Sequence, residues 1–173
     1  MRRYVVVVTA ALIALSVMAA AASAQTREPV IIKPFTLPGA PFCGFDINVA
    51  VVANNERKRT NVLPDGTVIE RITGRLVLSF TNAKTGKTIV RNVSGPTTTT
   101  TRPDGTATFE GAGNNWLAFG PNGRKITGTP ALVFTSGRVV INSTGNTPTV
   151  TPTVTFFSLS GHQVNGCELL AGS

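Results

Sequence analysis

The sequence predicts an all-β protein, a single antiparallel meander that closes into a barrel of about eight strands. Short runs of alternating apolar and polar residues, rich in threonine and valine, are separated by turns that contain Gly, Pro, Asn or Asp. Most of these connections are short enough to be hairpins. The two cysteines, Cys43 and Cys167, lie at the two ends of the folded region, where the first and last strands of a barrel must meet. A β-sandwich is the alternative for such strands.

The first 24 residues have the features of a secretory signal peptide. Arg2 and Arg3 supply positive charge, residues 5–22 form an apolar run, and Ala22-Ser23-Ala24 is a small-residue cleavage site. An uncleaved membrane anchor is the alternative, because the run is close to the length that spans a bilayer. Cleavage would start a secreted chain at Gln25, extracellular or associated with the cell wall, with no later transmembrane segment.

The remaining 149 residues are enough for one domain with a core. They hold 14 basic and 8 acidic residues, so the net charge favours attraction to anionic cell-wall polymers or phospholipid surfaces. The basic cluster Arg57-Lys58-Arg59 has no interleaved aromatic residues for base stacking, so we interpret it as a solvated loop and do not expect nucleic-acid binding.

Residues 25–41 form a Pro-rich leader that we predict to be extended and loosely packed, since four prolines exclude a helix. The β-domain then covers residues 42–173. No window has convincing helical periodicity, apart from a short turn over residues 168–171. The predicted strands are 45–51, 58–63, 67–72, 75–80, 87–93, 97–101, 106–111, 115–119, 131–135, 138–142 and 153–160.

The threonine-rich stretch over residues 95–113 is predicted to be a hairpin. Pro103 sets φ for the first turn position, Asp104 accepts backbone hydrogen bonds, and Gly105 takes the left-handed conformation. The same Pro-Asp-Gly-Thr sequence occurs 39 residues earlier, with Gly74, Leu78 and Phe80 at the offsets of Gly113, Leu117 and Phe119. Duplication of a half-barrel would explain this internal sequence repeat, and chance use of a common turn sequence is the alternative.

Cys43 and Cys167 are expected to form a disulfide, because an even pair in an exported chain is normally oxidised. A metal or redox role would need partners that the sequence does not show, so we predict no metal site and no cofactor.

Few side chains are candidates for catalysis or for lining a ligand cavity. Glu70 and Glu110 are the best acid–base candidates, and Glu70 shares a strand face with apolar neighbours. A surface ion pair is the other interpretation of each. Trp116 has the opposite strand phase to Leu117 and Phe119. A ligand cavity would be lined by whichever aromatic residues face inward. The candidates are Trp116, Phe109, Phe119, Phe134 and Phe157.

Three segments carry a resemblance. They are Phe42-Cys43-Gly44-Phe45 before the first strand, Ser94-Gly95-Pro96 before the threonine hairpin, and Ser158-Leu159-Ser160-Gly161 before the second cysteine. With the signal peptide, they resemble a broad group of small exported β-barrel proteins of high-GC Gram-positive bacteria. The resemblance covers most of the mature chain. The group has no assigned function, so it implies fold and export and transfers no catalytic residue.

These observations favour a non-enzymatic secreted protein that binds a small apolar ligand or a cell-wall component. Two alternatives stay open: a cyclase- or isomerase-like enzyme that works in the barrel cavity, and a purely structural surface protein. The oligomeric state is not predicted.

Overall fold

The computed structural model describes residues 27–145 and 152–172, so the predicted signal peptide and its cleavage site lie outside the described residues. Eleven strands and two short helices occur in these residues. The elements are β1 (Glu28–Pro29), β2 (Phe35–Leu37), β3 (Ile47–Asn54), β4 (Arg57–Val62), β5 (Val68–Thr73), β6 (Leu76–Asn82), β7 (Thr88–Asn92), β8 (Thr97–Thr101), β9 (Ala107–Ala118), α1 (Pro121–Thr127), β10 (Leu132–Thr144), β11 (Thr153–Asn165) and α2 (Gly166–Ala171).

The strands form two antiparallel sheets. One has seven strands in the order β1-β4-β5-β8-β9-β10-β11, and the other has four in the order β2-β3-β6-β7. The all-β prediction is therefore confirmed. Within the described residues neither sheet closes on itself, so the pairing does not show the predicted barrel. A sandwich-like arrangement fits these two sheets as well as a barrel does.

Three chain segments run from one sheet into the other through a bend. The chain passes from β3 into β4, from β5 into β6 and from β7 into β8, with only two to four residues between each strand and the next. The strand order β3-β6-β7 in one sheet matches β4-β5-β8 in the other. Bent strands that pass between sheets in this way form the corners of orthogonally packed sheets.

The bends align along one line across the strands, which we call the crease. It runs through Asn55, Arg75, Ser94 and the paired glycines of β9, β10 and β11. Backbone hydrogen bonds continue across it, from the Asn55 amide to the Arg75 carbonyl (2.9 Å) and from the Asn114 amide to the Ser94 carbonyl (3.2 Å). At these positions the strands therefore bend while the backbone hydrogen bonds between them continue.

In the last three strands the crease is a row of glycines. Gly137 of β10 pairs with Gly113 of β9 and Gly161 of β11, and all three have positive φ. The two halves of β10 and β11 on either side of the crease fold towards each other. This is shown by the rings of Phe119 and Phe157, whose centres lie 5.7 Å apart. The Phe119 amide donates a hydrogen bond to the carbonyl of Ala131, and Phe157 pairs with Ile141. In a straight strand, residues 131 and 141 would lie about 33 Å apart.

The core lies between the four-stranded sheet and the first half of β10. Phe80 of β6 is fully buried, and its ring contacts Phe134 of β10 at 4.9 Å and Trp116 of β9 at 5.8 Å. These edge-to-face contacts join the two sheets through apolar burial. The other buried residues of this cluster are Ile47, Val49, Leu76, Leu78, Val93, Leu132 and Leu170.

Cys43 and Cys167 form the predicted disulfide, with Cα atoms 5.2 Å apart. The sequence predicted that it would join the first and last strands of a barrel. Instead it links the loop before β3, in the four-stranded sheet, to α2, which follows the edge strand β11 of the seven-stranded sheet. The disulfide therefore connects the two sheets.

The threonine hairpin is present. Thr97–Thr101 forms β8 and pairs with β9 on one side and β5 on the other. The hydroxyl-bearing strand is therefore in the middle of the seven-stranded sheet. The prediction that the basic cluster lies in a loop is wrong: Arg57, Lys58 and Arg59 are the first three residues of β4, where they pair with β5.

Within residues 27–41, the Pro-rich segment supplies an edge strand to each sheet, β1 to the seven-stranded sheet and β2 to the four-stranded sheet. The helix α1 was not predicted, since the only helical turn expected from the sequence was at residues 168–171. Its signals are local: Pro121 at the first position, Arg124 and Lys125 in the last turn, and Gly128 in the left-handed conformation after it. Among the described residues, neither helix has the length and apolar character needed to cross a bilayer.

Candidate functional site

An apolar cavity of about 760 Å³ lies between the end of β9, the start of α1, the end of β10 and the start of β11. The folding-back of β10 and β11 at the crease creates it, because the first residues of β11 return to the end of β9. Its lining residues are Pro41, Phe42, Leu117, Ala118, Phe119, Gly120, Pro121, Asn122, Gly123, Ile141, Ser143, Pro152, Thr153 and Val154.

The strand period of β9 determines which side chains reach this cavity. Leu117 and Phe119 line it, whereas Trp116, one residue away, points to the opposite face and packs in the core against Phe80 and Phe35. Phe119 is buried, and its ring meets that of Phe157 edge to face. The predicted opposite phase of Trp116 is therefore present, and Trp116 does not line the cavity.

Two structural features hold the walls. Pro41 and Phe42 directly precede the disulfide-bonded Cys43. Their loop is closed by two hydrogen bonds, from the Gly44 amide to the Gly39 carbonyl (2.8 Å) and from the Gly39 amide to Asp46 Oδ1 (2.6 Å).

The opposite wall is the first turn of α1. Pro121 begins the helix, and the Arg124 side chain donates a hydrogen bond to the Pro41 carbonyl at 3.5 Å. This contact links the two walls across the cavity.

The cavity has no titratable side chain among its described lining residues. Its polar side chains are Asn122, Ser143 and Thr153, and its largest apolar ones are Phe42, Leu117, Phe119, Ile141 and Val154. Such a lining can exclude water from an apolar molecule and offer a few hydrogen bonds. Its described lining holds no titratable acid or base of the kinds that general acid–base catalysis uses.

The predicted aromatic residues divide between the two faces of the seven-stranded sheet. Phe119 lines the cavity, and the ring of Phe157 contacts the ring of Phe119. Phe109 lies beside Ile141 in register but does not line the cavity. Phe134 pairs with Trp116 on the core face, and it also lines a second, smaller cavity.

Glu70 and Glu110 both form ion pairs. Lys58 Nζ lies 3.1 Å from Glu70 Oε1, and Arg138 Nη2 lies 2.8 Å from Glu110 Oε1. The hydrogen bond that the Lys58 ammonium donates to Glu70 is the main cause of the raised pKa of Lys58. The partner of Glu70 is thus Lys58 on the neighbouring strand β4. Neither carboxylate lines the apolar cavity.

Several lining residues were not identified from the sequence. Ile141 and Val154 belong to predicted strands, but nothing local shows which face they occupy. Phe42 and Pro41 lie at the boundary of the leader. The only available signal was that Phe42 adjoins Cys43, which had to be near the end of the chain if the disulfide formed.

Comparison of the chain with protein-family models, with curated proteins and with solved structures finds no match. The function must therefore be argued from the geometry alone.

Proposed function

We propose that this protein is a secreted, non-enzymatic binding protein that holds a small apolar ligand in the cavity between β9, α1 and β11. The observation that carries the proposal is the cavity itself, about 760 Å³ with a mostly apolar lining. Ligand pockets are typically about 300–1,000 Å³, lined by apolar and aromatic side chains with a few polar groups.

The construction of the walls supports a pocket that exists before the ligand arrives. The disulfide fixes the loop that carries Phe42, and Phe119 is held by the ring of Phe157. Walls that are already ordered lose little conformational entropy on binding, which favours affinity.

Two further parts of the proposal concern fold and location. We infer a sandwich rather than a closed barrel. Its support is that, among the described strands, β7 pairs only with β6, and β9 beyond the crease pairs only with β10. Export is supported by the disulfide, because disulfides persist in oxidising compartments.

Binding can be tested on the mature, oxidised chain with the neutral fluorescent probe N-phenyl-1-naphthylamine. Saturable binding is expected. Leu117→Trp places a larger side chain in the cavity and should weaken binding at least tenfold. Val62→Trp adds the same side chain at an exposed position and should leave the affinity within twofold.

Failure of the wild-type protein to bind the probe would overturn the proposal, as would equal binding by wild type and Leu117→Trp. Ile141→Phe is a second filling variant for the case that Leu117→Trp does not fold. Native mass spectrometry of protein purified from its secreting host gives an independent check: a bound lipid-like molecule that dissociates on unfolding supports the proposal.

A further inference from the structure

Three arginines lie together on one face of the seven-stranded sheet, where β4 pairs with β5. Arg59 of β4 is directly opposite Arg71 of β5 in register, and Arg57 lies two residues before Arg59 on the same strand. Side chains of directly opposite residues in an antiparallel pair, and of residues two apart along a strand, project from the same face. We call the surface that these three residues share the arginine face.

The arginine face points to solvent and continues across the sheet. Arg57 and Arg71 are exposed. Register places Thr98 of β8 opposite Arg71, and Glu110 of β9 opposite Thr98. Arg138 of β10 lies on the same face, because its exposed guanidinium donates a hydrogen bond to Glu110 Oε1 at 2.8 Å. The face is therefore electrically balanced at β9 and β10, and its excess positive charge lies at β4 and β5.

The acidic side chains of this part of the sheet lie on the opposite face. There Lys58 Nζ is 3.1 Å from Glu70 Oε1, and Glu28 of β1 is opposite Lys58 in register. Within the described residues, none of the three arginines of the arginine face forms an ion pair. The sheet therefore separates its charges, with carboxylates behind it and unpaired guanidinium groups in front.

The opposed pair of Arg59 and Arg71 costs free energy in the free protein. Like charges directly opposite each other in a sheet repel, and here no carboxylate offsets the repulsion. A bound anion would relieve it and would accept charge-assisted hydrogen bonds, since a guanidinium presents its donors in a fixed planar fork. A single solvated arginine carries no such cost, so this repulsion is the feature that indicates a ligand.

The spacing of the arginines favours a chain of anionic groups over a single ion. The Cβ atoms of Arg57 and Arg59 are about 7 Å apart along the strand. Those of Arg59 and Arg71 are about 5 Å apart across the pair. Repulsion keeps the three guanidinium groups apart, and a chain with repeated charges can contact all of them at once. Each further contact in such a chain is intramolecular, which strengthens binding without a new kind of interaction.

The neighbouring side chains narrow the class of chain. Thr73 and Thr98, which lie opposite Arg57 and Arg71, carry hydroxyl groups that can donate hydrogen bonds. Neither offers an aromatic ring on which a nucleic-acid base could stack, nor a large apolar group that could enter a bilayer. A tetrahedral phosphate has oxygens in more than one plane, so it can accept from two guanidinium groups on adjacent strands. A planar carboxylate pairs best with one guanidinium in its own plane.

We propose that the arginine face binds a linear polyanion with repeated phosphate groups and no bases, and that Arg57, Arg59 and Arg71 contact its phosphates. The attraction expected from the net positive charge of the chain is thereby assigned to one surface. No residue of the arginine face lines the apolar cavity, so this site would be present whether or not that cavity holds a ligand.

Inorganic polyphosphate is a suitable probe, with orthophosphate as its single unit, poly-L-glutamate as a carboxylate polymer, oligothymidylate as a nucleic acid and phosphatidylglycerol vesicles as an anionic membrane. Calorimetric titration of the mature, oxidised chain at low ionic strength measures each affinity. Polyphosphate should bind at least tenfold more tightly, per phosphate or carboxylate group, than each of the other probes. Added salt should weaken its binding, because the site is exposed.

Paired variants separate the arginine face from attraction by net charge alone. Arg59→Gln/Arg71→Gln removes two charges from the face and should weaken polyphosphate binding at least tenfold. Lys84→Gln/Lys125→Gln removes two charges at exposed positions in a turn and in α1, and it should leave the affinity within twofold. The two double variants have the same net charge, so only the position of the charge differs.

Absence of polyphosphate binding would overturn the proposal, as would equal affinity in the two double variants. Binding of poly-L-glutamate as tight as that of polyphosphate would contradict the phosphate class. Tighter binding of oligothymidylate or of the vesicles would assign the face to a nucleic acid or to a membrane instead. If Arg59→Gln/Arg71→Gln does not fold, Arg71→Gln alone carries the test against Lys84→Gln and should weaken binding at least threefold.

Discussion

Gly137 and Gly161 face each other across β10 and β11 so closely that neither position has room for a side chain. A Cβ atom on Gly137 would overlap the carbonyl oxygen of Ser160, and one on Gly161 would overlap that of Ser136. Their φ values are 128° and 144°, a region that residues with a side chain rarely adopt. This pair forms the end of the crease, and the crease brings the start of β11 to the apolar cavity.

Substitution of Gly137 by alanine should therefore lower the free energy of unfolding by at least about 3 kcal/mol, through backbone strain and steric overlap together. Gly120→Ala is the matched control, because no atom lies within 4 Å of the added Cβ and φ is −66°. It should cost less than about 1 kcal/mol. Urea denaturation measures both values. Equal stability of the two variants would show that the crease does not depend on glycine.

Loss of the disulfide should lower stability by about 4–5 kcal/mol, since the chain-entropy model assigns this value to a closed loop of more than 100 residues. The two cysteines are separated by 124 positions. The double variant Cys43→Ser/Cys167→Ser, compared with the oxidised wild type in denaturant, tests this magnitude. The reduced wild type should match the double variant, and a shift below about 1 kcal/mol would contradict the prediction.

The two Pro-Asp-Gly turns should make stability depend on acid pH. Hydrogen bonds from the backbone of Thr67 and Thr106 lower the pKa of Asp65 and Asp104 from the ordinary value of 3.8. A lowered carboxyl pKa stabilises the folded state above the unfolded pKa, and this contribution is lost as the pH falls through the folded pKa. Asp104→Asn should therefore be less stable than wild type at pH 7, and the difference should shrink below pH 3.8.

Thermal unfolding at pH 7 and in strong acid measures that difference. Asp65→Asn should behave in the same way, because Asp65 accepts from the Thr67 amide at 2.9 Å, as Asp104 does from Thr106. A difference from wild type that does not change with pH would contradict the assignment to the charged carboxylates.

Glu56, at the crease, should destabilise the folded protein at neutral pH. Burial raises its pKa above the ordinary value of 4.5, so the folded state binds the proton more tightly than the unfolded state does. Stability contributed by such a group is lost as the pH rises through the folded pKa. Glu56→Gln should therefore be more stable than wild type at pH 7 and equal to it well below pH 4.5.

Chemical denaturation at the two pH values tests this prediction. Glu28→Gln changes an exposed glutamate in the same way and should alter stability by less than about 0.5 kcal/mol. A destabilised Glu56→Gln at pH 7 would mean that the charged carboxylate has a favourable partner.

The candidate sites were only partly predictable. Phe119 and Trp116 were both named as candidate lining residues, and their opposite strand phase is visible in the sequence. The structure places the two on opposite faces, and only Phe119 of the two lines the apolar cavity. The contact between Arg91 and Phe134 was not predicted. The two residues lie in different sheets, and only the packing of those sheets brings the Arg91 guanidinium carbon to 5.6 Å from the centre of the Phe134 ring.

The amino-acid sequence alone determined most of the strand segments, the Pro-Asp-Gly turns and the cysteine pairing, because each follows from local chemistry: β-branched alternation, Pro-Asp-Gly dihedral preferences, and an even number of cysteines. It did not show that the segments predicted at 106–111 and 115–119 form one strand, β9, or that those at 131–135 and 138–142 form β10. It did not determine the arrangement of the sheets. Gly113, Gly137 and Gly161 are ordinary glycines until strand register places them side by side. Register depends on contacts between distant residues, so only the tertiary structure decided where the strands bend and which side chains line the two cavities.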